Sequence, residues 1–227
     1  MKRNVMIDMS SQDTIEEHKQ RIAFHEAGHA TAIYLNSKAK HLPPVSFQIK
    51  FKGFNSVMEE DVTTFQATHD ECIAKVEGGR LIQSLYLPLL DGFVEKLTMH
   101  NEAMLDLLKD YMTALEADIV NLLIGPLAEA KHVADTDDEL FNHHLVNMNA
   151  LKNYGGNSDL AVINEYLQSF SAGKVQCYEQ LDELFTVAFN FVTDNANWKA
   201  ISRLANYILA SNKNSISYEE VVAVLEQ

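Results

Sequence analysis

The sequence predicts a mainly α-helical domain with one small β element, and three observations support this. Only four prolines and nine glycines occur in 227 residues, so few positions break a helix. Apolar residues recur at three- and four-residue intervals along most of the chain. Strict alternation is confined to Ser46–Phe51, where Phe47, Ile49 and Phe51 interleave with Gln48 and Lys50.

In chain order, the polar start at Met1–Asp13 reads as an arm, with Ser11 or Asp13 available to cap the helix that follows. That helix spans about Thr14–Asn36, with Ile15, Ile22, Ala30 and Ile33 marking its apolar side. His41–Pro44 interrupts the pattern. The strand over Ser46–Phe51 follows, then a turn at Gly53–Asn55 and a short returning strand at Ser56–Met58. These predict a two-stranded element near 46–58. Asp70–Thr113 reads as helical around Pro88, with Leu81, Ile82, Leu85 and Leu89, then Met104, Leu105, Leu108 and Met112, at helical spacing. Leu115–Ala134 reads as a further helix disturbed at Gly125-Pro126, because proline lacks the N–H of the ladder. Tyr154–Asn157 is a turn. Leu160–Phe170, Glu179–Asn195, Trp198–Ser211 and Tyr218–Glu226 complete a helical C-terminal third. The absence of a repeat or linker predicts one domain over 1–227.

The net charge of −14 argues against a nucleic-acid partner and against docking on an anionic membrane, both of which need a basic footprint. No run approaches the 18 or so apolar residues of a membrane span; Leu81–Leu90 is too short and holds Gln83, Ser84 and Pro88. Cys72 and Cys177 are isolated, which fits neither a disulfide framework nor a thiolate metal site. Met1–Ser11 contains no apolar signal core. A cytoplasmic setting is the expectation.

The chemistry is concentrated in Phe24-His25-Glu26-Ala27-Gly28-His29-Ala30, an H-E-x-x-H sequence in the middle of a helix. Residues i and i+4 lie one above the other, so His25 and His29 can both reach one tetrahedral Zn²⁺. Glu26 projects beside the metal, where it can take a proton from a zinc-bound water as general base and pass it to a leaving amine. Gly28 costs about 1 kcal/mol of helix propensity relative to alanine, so its place here calls for a packing reason.

A catalytic zinc needs a third protein ligand. Position 35 is Leu35, so a third histidine at the short fixed offset of the metzincins is absent. His143 and His144 are adjacent and face different ways on a helix. A carboxylate from a distant segment remains, with two candidates: Glu129, just after Gly125-Pro126, and Asp159, which follows a glycine turn and opens a helix.

Ile22–Ala30 resembles the zinc helix of the FtsH family of ATP-dependent zinc metalloproteases. Val45–Phe51 with Gly53-Phe54 sits where that family has a strand, a glycine and a second strand. Ile119–Glu129 resembles its Gly-Gly-Arg-Ala-Ala-Glu-type helix. Gly155-Gly156-Asn157-Ser158-Asp159-Leu160 is similar to its Gly-Ala-x-x-Asp-Leu segment, and Asn197–Ala205 with Ile216–Val224 to its last helices. The resemblance implies an FtsH-peptidase-like helical domain with one Zn²⁺ per chain, held by His25, His29 and Asp159. It implies Glu26 as general base and Glu129 as a carboxylate orienting a histidine. The sequence departs from the family in having Gly125-Pro126-Leu127 in place of Gly-Gly-Arg and no Walker A motif. The stretch from about 60 to 118 is longer than the corresponding region and reads as a helical insertion.

The expected activity is zinc-dependent endopeptidase action on peptides or unfolded protein, without a membrane span or nucleic acid. An extended substrate is expected to add a strand beside Phe47–Phe51. The same resemblance leaves room for a homo-oligomer and for a partner ATPase in trans. The alternative is a catalytically inactive zinc-binding module of the same type, serving as an adaptor.

Overall fold

The computed structural model describes residues 11–52, 74–84, 102–169 and 174–227. Among them, helices dominate and a three-stranded antiparallel sheet is the only β structure. The elements are α1 (Ser11–Ala39), β1 (Phe47–Phe51), β2 (Ala74–Gly78), α2 (Leu81–Ser84), α3 (Glu102–Thr136), a 3-10 turn (Ala150–Asn153), α4 (Asn157–Ser169), α5 (Lys174–Thr193), α6 (Asn195–Ala210), β3 (Ser215–Ser217) and α7 (Tyr218–Leu225).

Helix α1 is the axis of the molecule. Every residue from Ala23 to Ile33 is buried, because α1 packs on α3 along one side and on α6 and the sheet along the other. Ala23, Phe24, Ala27, Ala30 and Ile33 join Ile49, Ile201, Leu204, Ile208 and Ile216 in one core. Ala32 joins Ile119, Leu123, Ile124, Leu127, Leu184 and Phe189 in a second. A helix covered on all sides shows little amphipathic stripe, and its buried polar residues must find partners inside the protein.

Close approach of α1 and α3 depends on small residues. A Cβ on Gly28 would lie 2.8 Å from Ala128 Cβ and 3.0 Å from the Ile124 carbonyl oxygen. The propensity cost of this glycine is therefore offset by helix contact. Helix α3 runs without a break through Gly125-Pro126, which corrects the expected disturbance there. The missing proline N–H costs one ladder bond, and the flanking Ile124, Leu127 and Ala128 are fully buried against neighbouring elements. The Pro126 ring also packs toward the turn that leads into α4: a Cβ on Gly156 would lie 3.0 Å from Pro126 Cβ.

The strand over Phe47–Phe51 is present, with Phe47, Ile49 and Phe51 buried as the alternation implies. It is central in the sheet order β2-β1-β3. Val76 lies opposite Ile49 on one side, and Ile216 lies opposite Ile49 on the other. The returning strand expected at Ser56–Met58 lies outside the described residues. Ala74–Gly78 corrects the helical reading of Asp70–Thr113: pairing with β1 overrides the weak local preference of Ala-Lys-Val-Glu-Gly. Of the stretch read as an insertion (60–118), the described parts are β2, α2 and the first half of α3. Ser217 ends β3 and starts α7 with a capping box, its Oγ accepting from the Glu220 N–H at 3.4 Å while Glu220 Oε2 accepts from the Ser217 N–H at 3.1 Å.

Candidate metal centre

His25 and His29 share the α1 face turned to α3 and α4, and their rings stand edge to face. The two Nε2 atoms are 3.1 Å apart. Asp159, in the first turn of α4, brings Oδ2 to 3.3 Å from His25 Nε2 and Oδ1 to 3.4 Å from His29 Nε2. All three side chains are buried.

The other ring nitrogens settle the tautomers. His29 Nδ1 lies 2.9 Å from the backbone oxygen of Asn121, which can only accept, so Nδ1 carries the proton. His25 Nδ1 lies 3.1 Å from Glu129 Oε2. Burial raises the Glu129 pKa, but hydrogen bonding to His25 and the charges of His25 and Arg21 outweigh it, so Glu129 stays ionised and accepts. When both imidazoles are neutral, as metal ligation requires, these tautomers aim the lone pairs of both Nε2 atoms at each other and at a carboxylate. Asp159 Oδ2 has no hydrogen-bond partner despite being buried. Three converging electron-pair donors, one of them the orphaned Asp159 carboxylate, need a positive charge among them.

A metal ion meets that need. Ligand atoms about 2.0–2.1 Å from a tetrahedral ion stand about 3.3–3.4 Å apart, close to the separations found here. The buried group of His25, His29 and Asp159 could thus hold a metal ion. In its absence a proton is the smallest available cation. Burial lowers the His25 pKa, yet the adjacent carboxylates of Asp159 and Glu129 carry it well above the usual value. Burial likewise raises Asp159, while His29 and His25 hold it well below the usual carboxylate range.

Glu129 does not face the Nε2 pair; it holds the opposite side of the His25 ring. Arg21, one turn before His25 on α1, in turn holds Glu129, its guanidinium lying 2.8 and 3.0 Å from Oε1. The same guanidinium donates to the Asn153 carbonyl at 3.1 Å, tying α1 to the turn before Asp159. Glu26, also buried, accepts the Val76 N–H of β2 at 2.7 Å through Oε2. Burial raises its pKa from the ordinary value.

Two glycines make the centre sterically possible. A Cβ on Gly125 would stand 2.2 Å from His29 Nε2, so this glycine leaves the space the ring occupies. Gly155 has φ +70°, and a Cβ there would meet both Glu129 Oε2 and His25 Nδ1 at 3.0 Å. The remaining histidines of the described residues stand apart: His132 stacks on Phe24 at 3.9 Å, and His143 packs against Phe189 at 3.6 Å.

Sequence reasoning missed Arg21, Asn121, Gly125 and the Val76 N–H. Arg21 had a legible signal, its i,i+4 spacing to His25. The Asn121 and Val76 contributions are main-chain groups, to which a side-chain motif gives no clue. No helix among the described residues is long and apolar enough to cross a membrane. Neither a protein-family model, nor a curated protein, nor a solved structure matches the chain.

Proposed function

We propose that the chain is a zinc-dependent metallopeptidase acting on peptides or unfolded segments, with His25, His29 and Asp159 as metal ligands and Glu26 as general base. The observation that carries this reading is the convergence of two Nε2 lone pairs and an orphaned Asp159 oxygen beside a buried glutamate. Two imidazoles and one carboxylate form a donor set suited to zinc in its catalytic coordination, where three protein ligands leave a position open. Zinc in such a site supplies a Lewis acid that polarises a peptide carbonyl and makes water nucleophilic near neutral pH.

The chain's own residues do the rest. The Asn121 carbonyl and the Glu129 carboxylate fix both rings with Nε2 inward, and Arg21 keeps Glu129 ionised. Glu26, raised by burial toward the operating range of a base, accepts a proton and returns it to the departing amine. An extended substrate cannot pair beside Phe47–Phe51, because β1 already has a neighbour on each side. The outer edge of β2, next to Glu26, is the place for it.

The test compares zinc-loaded wild type with Glu26→Gln on reduced, alkylated casein. Wild type cleaves, and the variant binds zinc equally but loses at least about a hundredfold in rate. Stoichiometric zinc without cleavage in wild type sinks the peptidase and leaves the second reading, an inactive metal-binding adaptor. The 2.7 Å tether on Glu26 favours that second reading, because it occupies one oxygen of the base.

A further inference from the structure

The tether on Glu26 lies on the strand edge where a peptide would have to add. Phe51 N–H donates to the Asn214 carbonyl, on the β3 side of β1. Alternate residues of a strand turn their backbone groups the same way, so Ile49 also faces β3. Val76, opposite Ile49, and Ala74, opposite Phe51, therefore direct N–H and C=O away from β1. Among the described residues no strand pairs with that outer edge. Its central donor, the Val76 N–H, is instead held by Glu26 Oε2.

We propose that this hydrogen bond is a substrate-released latch. In the free protein the Val76 N–H holds the Glu26 carboxylate. An extended peptide adding along the outer edge of β2 takes that N–H with one of its own carbonyl oxygens, and Glu26 Oε2 is set free beside the metal centre. The inference rests on the peptidase reading and extends it. One amide hydrogen cannot serve two short, well-aligned acceptors, so peptide addition at Val76 and release of Glu26 are a single event. The latch selects for chain that can present a run of unpaired backbone, which is to say unfolded segments. A folded surface or a free amino acid does not displace Glu26.

The experiment uses two variants that both lack the base. Glu26→Gln keeps an oxygen that can accept the Val76 N–H; Glu26→Ala has none. Both are loaded with zinc, and their affinity for reduced, alkylated casein is measured by calorimetry. Without a competing acceptor, the alanine variant binds about two- to tenfold tighter than the glutamine variant, the worth of one net hydrogen bond. Equal or weaker binding by the alanine variant overturns the latch, as does the failure of either variant to bind. The NMR resonance of the Val76 amide gives an independent readout in metal-free wild type, where Glu26 is intact. Addition of casein leaves the Val76 amide protected but shifts its NMR resonance; an unmoved resonance at saturation overturns the proposal. The two readings fail separately. Wild type that cleaves casein while the two variants bind alike loses the latch alone. Wild type that never cleaves while the affinities differ loses the peptidase alone.

Discussion

Asp118 and Asp159 are both buried aspartates near the α1–α3 contact, and their surroundings push them in opposite directions. Asp118 Oδ1 accepts the Leu81 N–H at 2.9 Å and Oδ2 accepts the Ile82 N–H at 3.0 Å. Both its oxygens are spent on the start of α2, and burial, only partly offset by those amides and the charge of Arg80, raises its pKa to about 6. Asp159 faces two imidazoles and leaves Oδ2 without a hydrogen bond. A carboxylate that serves the fold is satisfied by neutral donors and tolerates a proton. One that is placed to hold a cation keeps lone pairs in reserve and resists protonation. The difference separates a structural acid from a candidate ligand without reference to any motif.

The largest effect is expected from removing the reserved oxygens. Asp159→Ala should lose at least about a hundredfold in zinc affinity, more than the 10–100-fold typical of residues that only support a ligand. Wild type at zinc about a hundredfold above its dissociation constant gains about 2.7 kcal/mol over chelator-treated protein, and this gain vanishes in the variant. Calorimetry and thermal melts with and without chelator check both points. A variant that keeps wild-type zinc affinity removes Asp159 from the ligand set. Next in size, Asp118→Ala strands one buried and one part-buried backbone donor and should cost about 2–4 kcal/mol in denaturant melts, while the folded protein still takes up zinc. Loss of zinc from folded Asp118→Ala would collapse the distinction drawn here.

A smaller effect is expected at Arg21. Arg21→Gln removes the charge from Glu129 and the donor to Asn153, and zinc affinity should fall about tenfold with little change in the metal-free fold. A separate effect is one of pH. The folded state holds the Asp118 proton to about pH 6, whereas its ordinary value is 3.8, so between those values the folded state binds the proton more tightly. Stability from this group is full below about pH 4 and is lost as pH rises through about 6, by about 3 kcal/mol. Asp118→Asn flattens that slope in metal-free melts; an unchanged slope would show that another group produces it.

The glycines extend the same contrast between local and long-range signals. Gly125 lies in a helix that reads as interrupted from sequence, and only the placement of the His29 ring explains why a side chain is excluded there. Gly125→Ala should disable zinc binding by displacing His29, although alanine is the better helix former. The capping box at Ser217 and Glu220 is the opposite case, an S-x-x-E pattern whose partners are three residues apart. The strand at Ala74–Gly78 was illegible because five residues of mixed preference take their conformation from the strand beside them.

Residue spacing alone encodes the mainly helical class, the strand at Phe47–Phe51 and the pairing of His25 with His29 on one face, since each depends on a few residues along one element. It also narrowed the third donor to a carboxylate. Tertiary structure decided what each carboxylate does: Asp159 faces the two Nε2 atoms, while Glu129 stands behind the His25 ring with Arg21. It decided too that Glu26 is held by a strand edge and that β1 lies inside the sheet. Those arrangements join groups from separate elements, and their cause is the packing of α1 between α3 and the sheet, which no local periodicity encodes.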